Sequence, residues 1–271
     1  MFLFLRVRGS RFLFADTAYA EITIPAYIPE DAVSERMVKD LLKKELLSTG
    51  LNLKKRRASV SFIFDDGVAG DVSIKAIFDN HSKKCGFAVF SPIAGRYKTY
   101  YDEGFEILAH ASASISNPTE ASERAQMKTA YDDVVALVGE CHGWVTPSSA
   151  LADQFKPLVY DYYEYGYTVY KGNIATPSES GMTKDLKTYA LWRSSVESIT
   201  LAEQKAIIDY AVANNLMVCF YGHAYNLNTG GNLTTENLGA LLDYCDTVGI
   251  DVMLPHESVS NFFAFRHNED L

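Results

Sequence analysis

Two adjacent carboxylates, Asp65 and Asp66, close the stretch Ser59–Gly67, SVSFIFDDG. Like charges side by side repel, so this pairing makes chemical sense where a metal ion or a proton is to be held. The plain alternative is an Asp-Asp-Gly turn with no chemistry. Two histidines recur in the same kind of place. His110 follows the apolar run Phe105–Ala109, and His223 follows Leu216–Tyr221 one glycine later. Pro147 and Ser148 follow the short run Gly143–Thr146. A carboxylate pair with two imidazoles is the composition of a metal-dependent hydrolase.

The elements that must position these residues are legible from periodicity. Val60, Phe62 and Phe64 alternate with Ser59, Ser61 and Ile63, the pattern of a buried strand, and Gly67 permits the turn after it. Further strands are expected at Cys85–Phe90, Phe105–Ala109, Gly143–Thr146, around Gly166 as a strand pair within Tyr160–Tyr170, at Leu186–Trp192, Leu216–Tyr221 and Ile250–Leu254. Helical spacing predicts helices over Val72–His81, Thr119–Val138, from Thr200 to Asn215, and from Thr234 or Thr235 to Val248. Thr200 and Glu203 form a capping box, and Gly139 and Gly249 stand where helices end. Seven or eight βα units in about 200 residues predict a parallel barrel, with an open doubly wound sheet as the competing layout. In a barrel, the ends of these strands share one face, the face that carries active sites.

Residues 1–57 differ from the rest and read as an N-terminal extension to a barrel over 58–271. They hold an expected strand at Glu21–Ile28 and an amphipathic helix at Ser34–Ser48, with Met37, Val38, Leu41, Leu42 and Leu46 on one stripe and Gly50 behind it. The run Lys54-Lys55-Arg56-Arg57 reads as a solvated linker. The first residues, MFLFLRVRGSRFLFADTAYA, are interrupted by Arg6, Arg8 and Arg11 and do not make a convincing signal peptide. No run approaches the roughly 18 apolar residues of a membrane span. A net charge of −9 argues against a general nucleic-acid binder. Cys85, Cys141, Cys219 and Cys245 form no CxxC and read as core residues rather than a disulfide or zinc scaffold. No GxGxxG follows a strand, so a dinucleotide site has no support.

The motifs carry a family resemblance. SVSFIFDDG resembles the TFDDG motif of the polysaccharide deacetylases, carbohydrate esterase family 4 or NodB-homology domains. GFEILAHASAS, Gly104 to Ser114, resembles their second motif, with its His-x-x-x-His pair. WVTPSS, Trp144 to Ser149, is a weaker match to the third. LWRSS around Arg193 and MVCFYGHAYN, Met217 to Asn226, resemble an Arg-containing segment and the last motif. Order and spacing fit over about residues 55–257.

The resemblance implies a distorted (β/α)7 TIM-like barrel that hydrolyses N- or O-acetyl groups of an acetylated polysaccharide. It implies a divalent metal ion, zinc in the first place, with Asp66, His110 and the residue at position 114 as ligands. Asp65 would be the general base and His223 the general acid. Pro147, Ser148 and Arg193 would serve the substrate and the oxyanion. An extracytoplasmic or phage-associated setting also follows from the resemblance.

Two departures stand out. Ser114 replaces the second histidine, and a hydroxyl is a poor zinc ligand, so weaker metal binding is expected, with His81 and His142 as candidate stand-ins. The third motif lacks its arginine, with Val145 near that place, and its tyrosine, with Ser148 there. In the family that arginine orients the base, a role Arg193 could take. Two other functions stay open: a glycan-binding barrel without catalysis, and a different metal-dependent amide hydrolase. Tyr97, Tyr100, Tyr101 and the six tyrosines of Tyr160–Tyr170 are candidate sugar platforms, against the simpler reading that they pack the barrel.

Overall fold

The computed structural model describes residues 3–7, 10–14, 58–149, 151–170 and 188–269. The expected strand at 21–28, the expected helix at 34–48 and the basic run at 54–57 lie outside the described residues. The chain divides into two compact units, one of residues 57–262 and one of residues 1–56 with 263–271. In the smaller unit, β1 (Leu3–Val7) and β2 (Ser10–Phe14) form an antiparallel hairpin.

The larger unit is built on β3 (Ser59–Asp65), β4 (Gly86–Val89), β5 (Glu106–His110), β6 (Gly143–Val145), β7 (Tyr165–Tyr167), β8 (Val169–Tyr170), β9 (Trp192–Ser195) and β10 (Met217–His223). They pair in the order β7-β6-β5-β4-β3-β10-β9-β8, and every pair is parallel. β7 and β8 are one run interrupted at Thr168, whose Oγ1 donates to the Tyr189 carbonyl at 2.7 Å. The first part pairs with β6 and the second with β9, which closes the sheet into a nearly closed barrel of seven strands. A last strand, β11 (Asp251–Val252), takes the edge of β3 at Ser59 and Val60, below the point where β4 picks it up at Ile63.

Alternation along β3 separates two environments. Phe62 and Phe64 face outward and meet Phe78 of helix α1 (Asp71–Asn80) at ring separations of 5.4 and 5.9 Å. Ser59, Ser61, Ile63 and Asp65 form the inward set. Ser59 shares a hydrogen bond of 2.8 Å with Ser258, and Asp65 pairs with a charge from β9. The remaining helices are α2 (Arg96–Asp102), α3 (Glu120–Val138), α4 (Leu201–Asn214), α5 (Thr235–Val248) and α6 (Pro255–Glu269). Thr200 and Glu203 cap α4 reciprocally, Thr234 caps α5, and Gly139 and Gly249 close α3 and α5 in the left-handed conformation. All four cysteines are buried and free.

Two expectations need correction. The tyrosine-rich segment is not a strand pair around Gly166: it is a 3-10 turn over Asp153–Asp161 followed by the single interrupted run β7–β8. The strand expected at Leu186–Trp192 begins at Trp192, after a 3-10 turn at Thr188–Ala190, so its inward residue is Arg193. Helix α2, which buries Tyr97 and Tyr100, and helix α6 are not among the expected elements.

Gly143 shows how closely the lumen is filled. A Cβ there would collide with the Tyr165 ring, which is buried and tied through its hydroxyl to Glu106. Gly143→Ala is therefore expected to destabilise the fold by about 1–3 kcal/mol or more, read as a lower denaturant midpoint. An unchanged midpoint would mean that the lumen has room to yield.

Candidate active site

Asp65, Asp66, His110 and His223 come together at the carboxyl end of the barrel, and two local devices put them there. The first is register. β10 runs beside β3 with His223 directly opposite Asp65. The second is a tight turn. Asp66 and Gly67 both take left-handed backbone conformations, φ +78° and +62°, so the chain leaves the strand sharply at Asp66. Aspartate tolerates this conformation better than most residues, and here it turns the Asp66 carboxylate toward His110.

The turn is held from behind by Arg96, which sequence reasoning did not select, and by Tyr97, which it selected as a sugar platform. Arg96 of α2 donates to the Gly67 carbonyl at 3.3 Å, and Tyr97 donates to the Asp71 carboxylate at 2.6 Å. Burial pushes the Asp71 carboxyl up to about 7, against the bond from Tyr97 and the charge of Arg96.

Asp66 is the hub of the mouth. Its Oδ1 lies 3.4 Å from Nε2 of His110, and its Oδ2 lies 3.9 Å from Nε2 of His223. Hydrogen bonding from His110 outweighs burial and holds the Asp66 carboxyl below its ordinary value, with the charge of His223 adding to the effect. Nδ1 of His110 sits 2.7 Å from the Val145 carbonyl, which can only accept, so Nδ1 carries a proton. Nε2 then faces a carboxylate oxygen, an arrangement that needs either a second proton or a cation between them.

The geometry suits a cation. Two donors about 2.1 Å from a tetrahedral centre stand about 3.4 Å apart, as Nε2 and Oδ1 do here, and a carbonyl behind the ligating imidazole is the usual outer support. Asp66 and His110 thus fit two corners of a divalent metal site. Ser114 is engaged elsewhere: its hydroxyl donates to the Pro147 carbonyl at 3.1 Å, tying the loop after β5 to the loop after β6. Among the described residues no three His, Cys, Asp or Glu side chains are grouped to hold an ion. Neither stand-in joins the pair. His81 caps α1 and contacts Asp243, and His142 lies before β6, at the other end of the barrel, stacked on His256.

Asp65 points inward and is only 4% exposed. One nitrogen of Arg193, Nη1, donates to both of its oxygens, at 2.7 and 2.9 Å. Arg193 is 3% exposed and lies over the Tyr221 ring at 4.5 Å, so it serves the Asp65 carboxylate and not a free oxyanion. Pro147 is buried, while Ser148 is exposed and left-handed, φ +52°, which turns the chain sharply beside the Ser114 contact.

Sequence reasoning missed Glu197. It lies 3.1 Å from Nδ1 of His223 and also accepts from the His223 backbone N–H. Burial pulls His223 down, but the Glu197 bond and the charges of Asp65, Glu197 and Asp66 leave it above its ordinary 6.5. Burial raises Glu197, and its bonds to His223 and Asn226 bring it below its ordinary value. A polar residue on the loop after β9, two residues past Ser195, was the available signal. Tyr225 was missed as well. Its ring stacks on His223 at 5.1 Å, and its hydroxyl bonds to Asp66. Of the tyrosines singled out as sugar platforms, Tyr97, Tyr100, Tyr163, Tyr165 and Tyr167 are buried in the protein, and packing explains them.

No protein-family model and no curated protein matches the sequence. Solved structures do match. The Xyl-CE4 domain of a multidomain xylanase from the hindgut metagenome of Trinervitermes trinervoides aligns over 79% of this chain and 92% of its own, with a TM-score of 0.50 at 14% identity. The T48 deacetylase with substrate aligns over 76% and 92%, with a TM-score of 0.50 at 12% identity. The barrel has the CE4 polysaccharide deacetylase fold. Identities this low speak to the fold, and the chemistry rests on the residues at the mouth.

The buried ion pair generates a prediction. Arg193→Met leaves the Asp65 charge buried without a partner and should cost about 3–5 kcal/mol in denaturant unfolding. Adding Asp65→Asn should restore much of that loss. A single variant as stable as the native protein would mean that Asp65 is not charged in the fold.

Proposed function

We propose that the barrel hydrolyses acetyl groups, N- or O-linked, from an acetylated polysaccharide. The observation that carries this reading is the Asp66 carboxylate faced by two imidazoles whose other nitrogens are already committed, beside a buried carboxylate held by arginine. Asp65 is the base that takes the proton of the attacking water, and Arg193 fixes its two oxygens in one orientation. His223 is the acid that protonates the leaving amine or alcohol, and Glu197 orients it through Nδ1 and favours its protonated form. The backbone N–H at Ser148, set by the left-handed turn after Pro147, is offered to the developing oxyanion. Asp66 and His110 would hold a divalent cation, zinc being the first candidate, which when bound supplies Lewis-acid polarisation and a lowered pKa for water.

A second reading, a glycan-binding barrel without turnover, draws on Ser114. Its hydroxyl replaces an imidazole and is spent on the Pro147 carbonyl, which leaves the cation two protein donors. The complete Asp65–Arg193 and His223–Glu197 pairs favour catalysis, since binding alone needs neither a base nor an acid.

Acetate release from acetylated xylotetraose and tetra-N-acetylglucosamine separates the two. Asp65→Asn and His223→Ala should each lower it by about 10²–10⁴-fold. Absence of release by the native protein across such substrates would favour the binding reading. The pH profile adds a sign. The Glu197 bond and the neighbouring carboxylates raise the His223 pKa above its ordinary 6.5, so the basic limb of kcat/KM should lie above 6.5. Glu197→Gln removes the charge that helps raise it, and the limb should move to lower pH. An unmoved limb would remove His223 from the acid role.

A further inference from the structure

We propose that Tyr225 is a substrate-positioning residue, the platform on which the pyranose ring bearing the acetyl group stacks. This rests on the deacetylase reading and adds the part of the substrate that the mouth grips. Among the described residues three large hydrophobic side chains are notably exposed, Val72, Tyr160 and Tyr225, and Tyr225 is the one at the active mouth. It is 52% exposed, although one side of its ring lies on the His223 imidazole at 5.1 Å with an interplanar angle of 29°. An aromatic ring left half open costs solvation unless something apolar covers it in use. The carbon–hydrogen face of a sugar is such a cover, and the hydroxyl end of tyrosine tolerates the water around it.

The mount is rigid. Tyr225 sits in a 3-10 turn, Ala224–Asn226, directly after β10. Ala224 is buried against Gly70, where an added Cβ would lie 3.1 Å from the Ala224 carbonyl oxygen. Asn226 bonds to Glu197, the partner of His223, and the Tyr225 hydroxyl bonds to Asp66. A sugar stacked on the open face of this ring, the face away from His223, reaches Asp66 past the hydroxyl end without any side chain having to be ordered first.

The test compares three variants, each checked by thermal melting, in binding of tetra-N-acetylglucosamine and acetylated xylotetraose and in hydrolysis. Tyr225→Trp and Tyr225→Phe keep a flat ring and should hold Kd and KM within about threefold. Tyr225→Leu keeps apolar contact with His223 but has no flat face, and should raise Kd and KM about tenfold with a smaller change in kcat. Native-like Kd and KM in Tyr225→Leu would overturn the platform. So would an equal loss in Tyr225→Phe, which would assign the effect to the hydroxyl on Asp66. A native protein that neither binds nor hydrolyses these saccharides would overturn the deacetylase reading and this proposal together. An active native protein with an unaffected leucine variant would overturn this proposal alone.

Discussion

The ion pair between Asp65 and Arg193 is the constraint on which the mouth depends. Two charges taken out of water cost several kcal/mol each unless geometry returns it, so a barrel that buries them must hold them closely. Asp65 ends β3 and Arg193 lies in β9, with β10 between them. The pair therefore spans the lumen across Tyr221, whose ring lies 4.5 Å beneath the guanidinium. It exists only if β9 is drawn into the barrel, and β9 is held on one side by β10 and on the other by β8. The interruption at Thr168, which lets one run of chain serve β6 and then β9, is what completes the barrel around the charge.

From that pair the remaining chemistry is laid out by one turn and one register. The left-handed Asp66–Gly67 step sends two consecutive carboxylates to different tasks: Asp65 into a closed, arginine-bound position and Asp66 to the open mouth between two imidazoles. The parallel register of β3 and β10 then sets His223 beside Asp65. Each active side chain has an outer partner: Arg193 for Asp65, Val145 for His110, Glu197 for His223. Arg193 does so from a strand other than the one that carries the incomplete third motif, where Val145 contributes a carbonyl to His110.

The barrel and its mouth were legible because strong alternation and capping signals mark most of the elements. SVSFIFDDG, the Thr200–Glu203 box and the apolar run before His223 are local statements that tertiary structure respects. What escaped was set by contacts distant in sequence. The β7–β8 break follows from the need to bridge two strands, which no local period encodes. The start of β9 is displaced to Trp192, and only then does Arg193 face Asp65, 128 residues away. Glu197 and Tyr225 lie on loops, where periodicity says nothing and only the neighbouring His223 gives them meaning. The tyrosines, read as possible sugar platforms, mostly fill the protein interior: Tyr165 and Tyr167 inside the barrel, and Tyr97, Tyr100 and Tyr163 between the strands and the helices around them.

Ser114 is the point at which the mouth departs most from a three-donor metal site, and zinc binding measures that departure directly. Calorimetric titration of zinc into the metal-free protein should show one site per chain. Asp66→Asn and His110→Gln should abolish it, and Ser114→His should tighten it by supplying an imidazole beside the existing pair. No zinc binding by the native protein at millimolar metal, or binding unchanged in Asp66→Asn, would contradict the account of Asp66 as the residue that holds a cation.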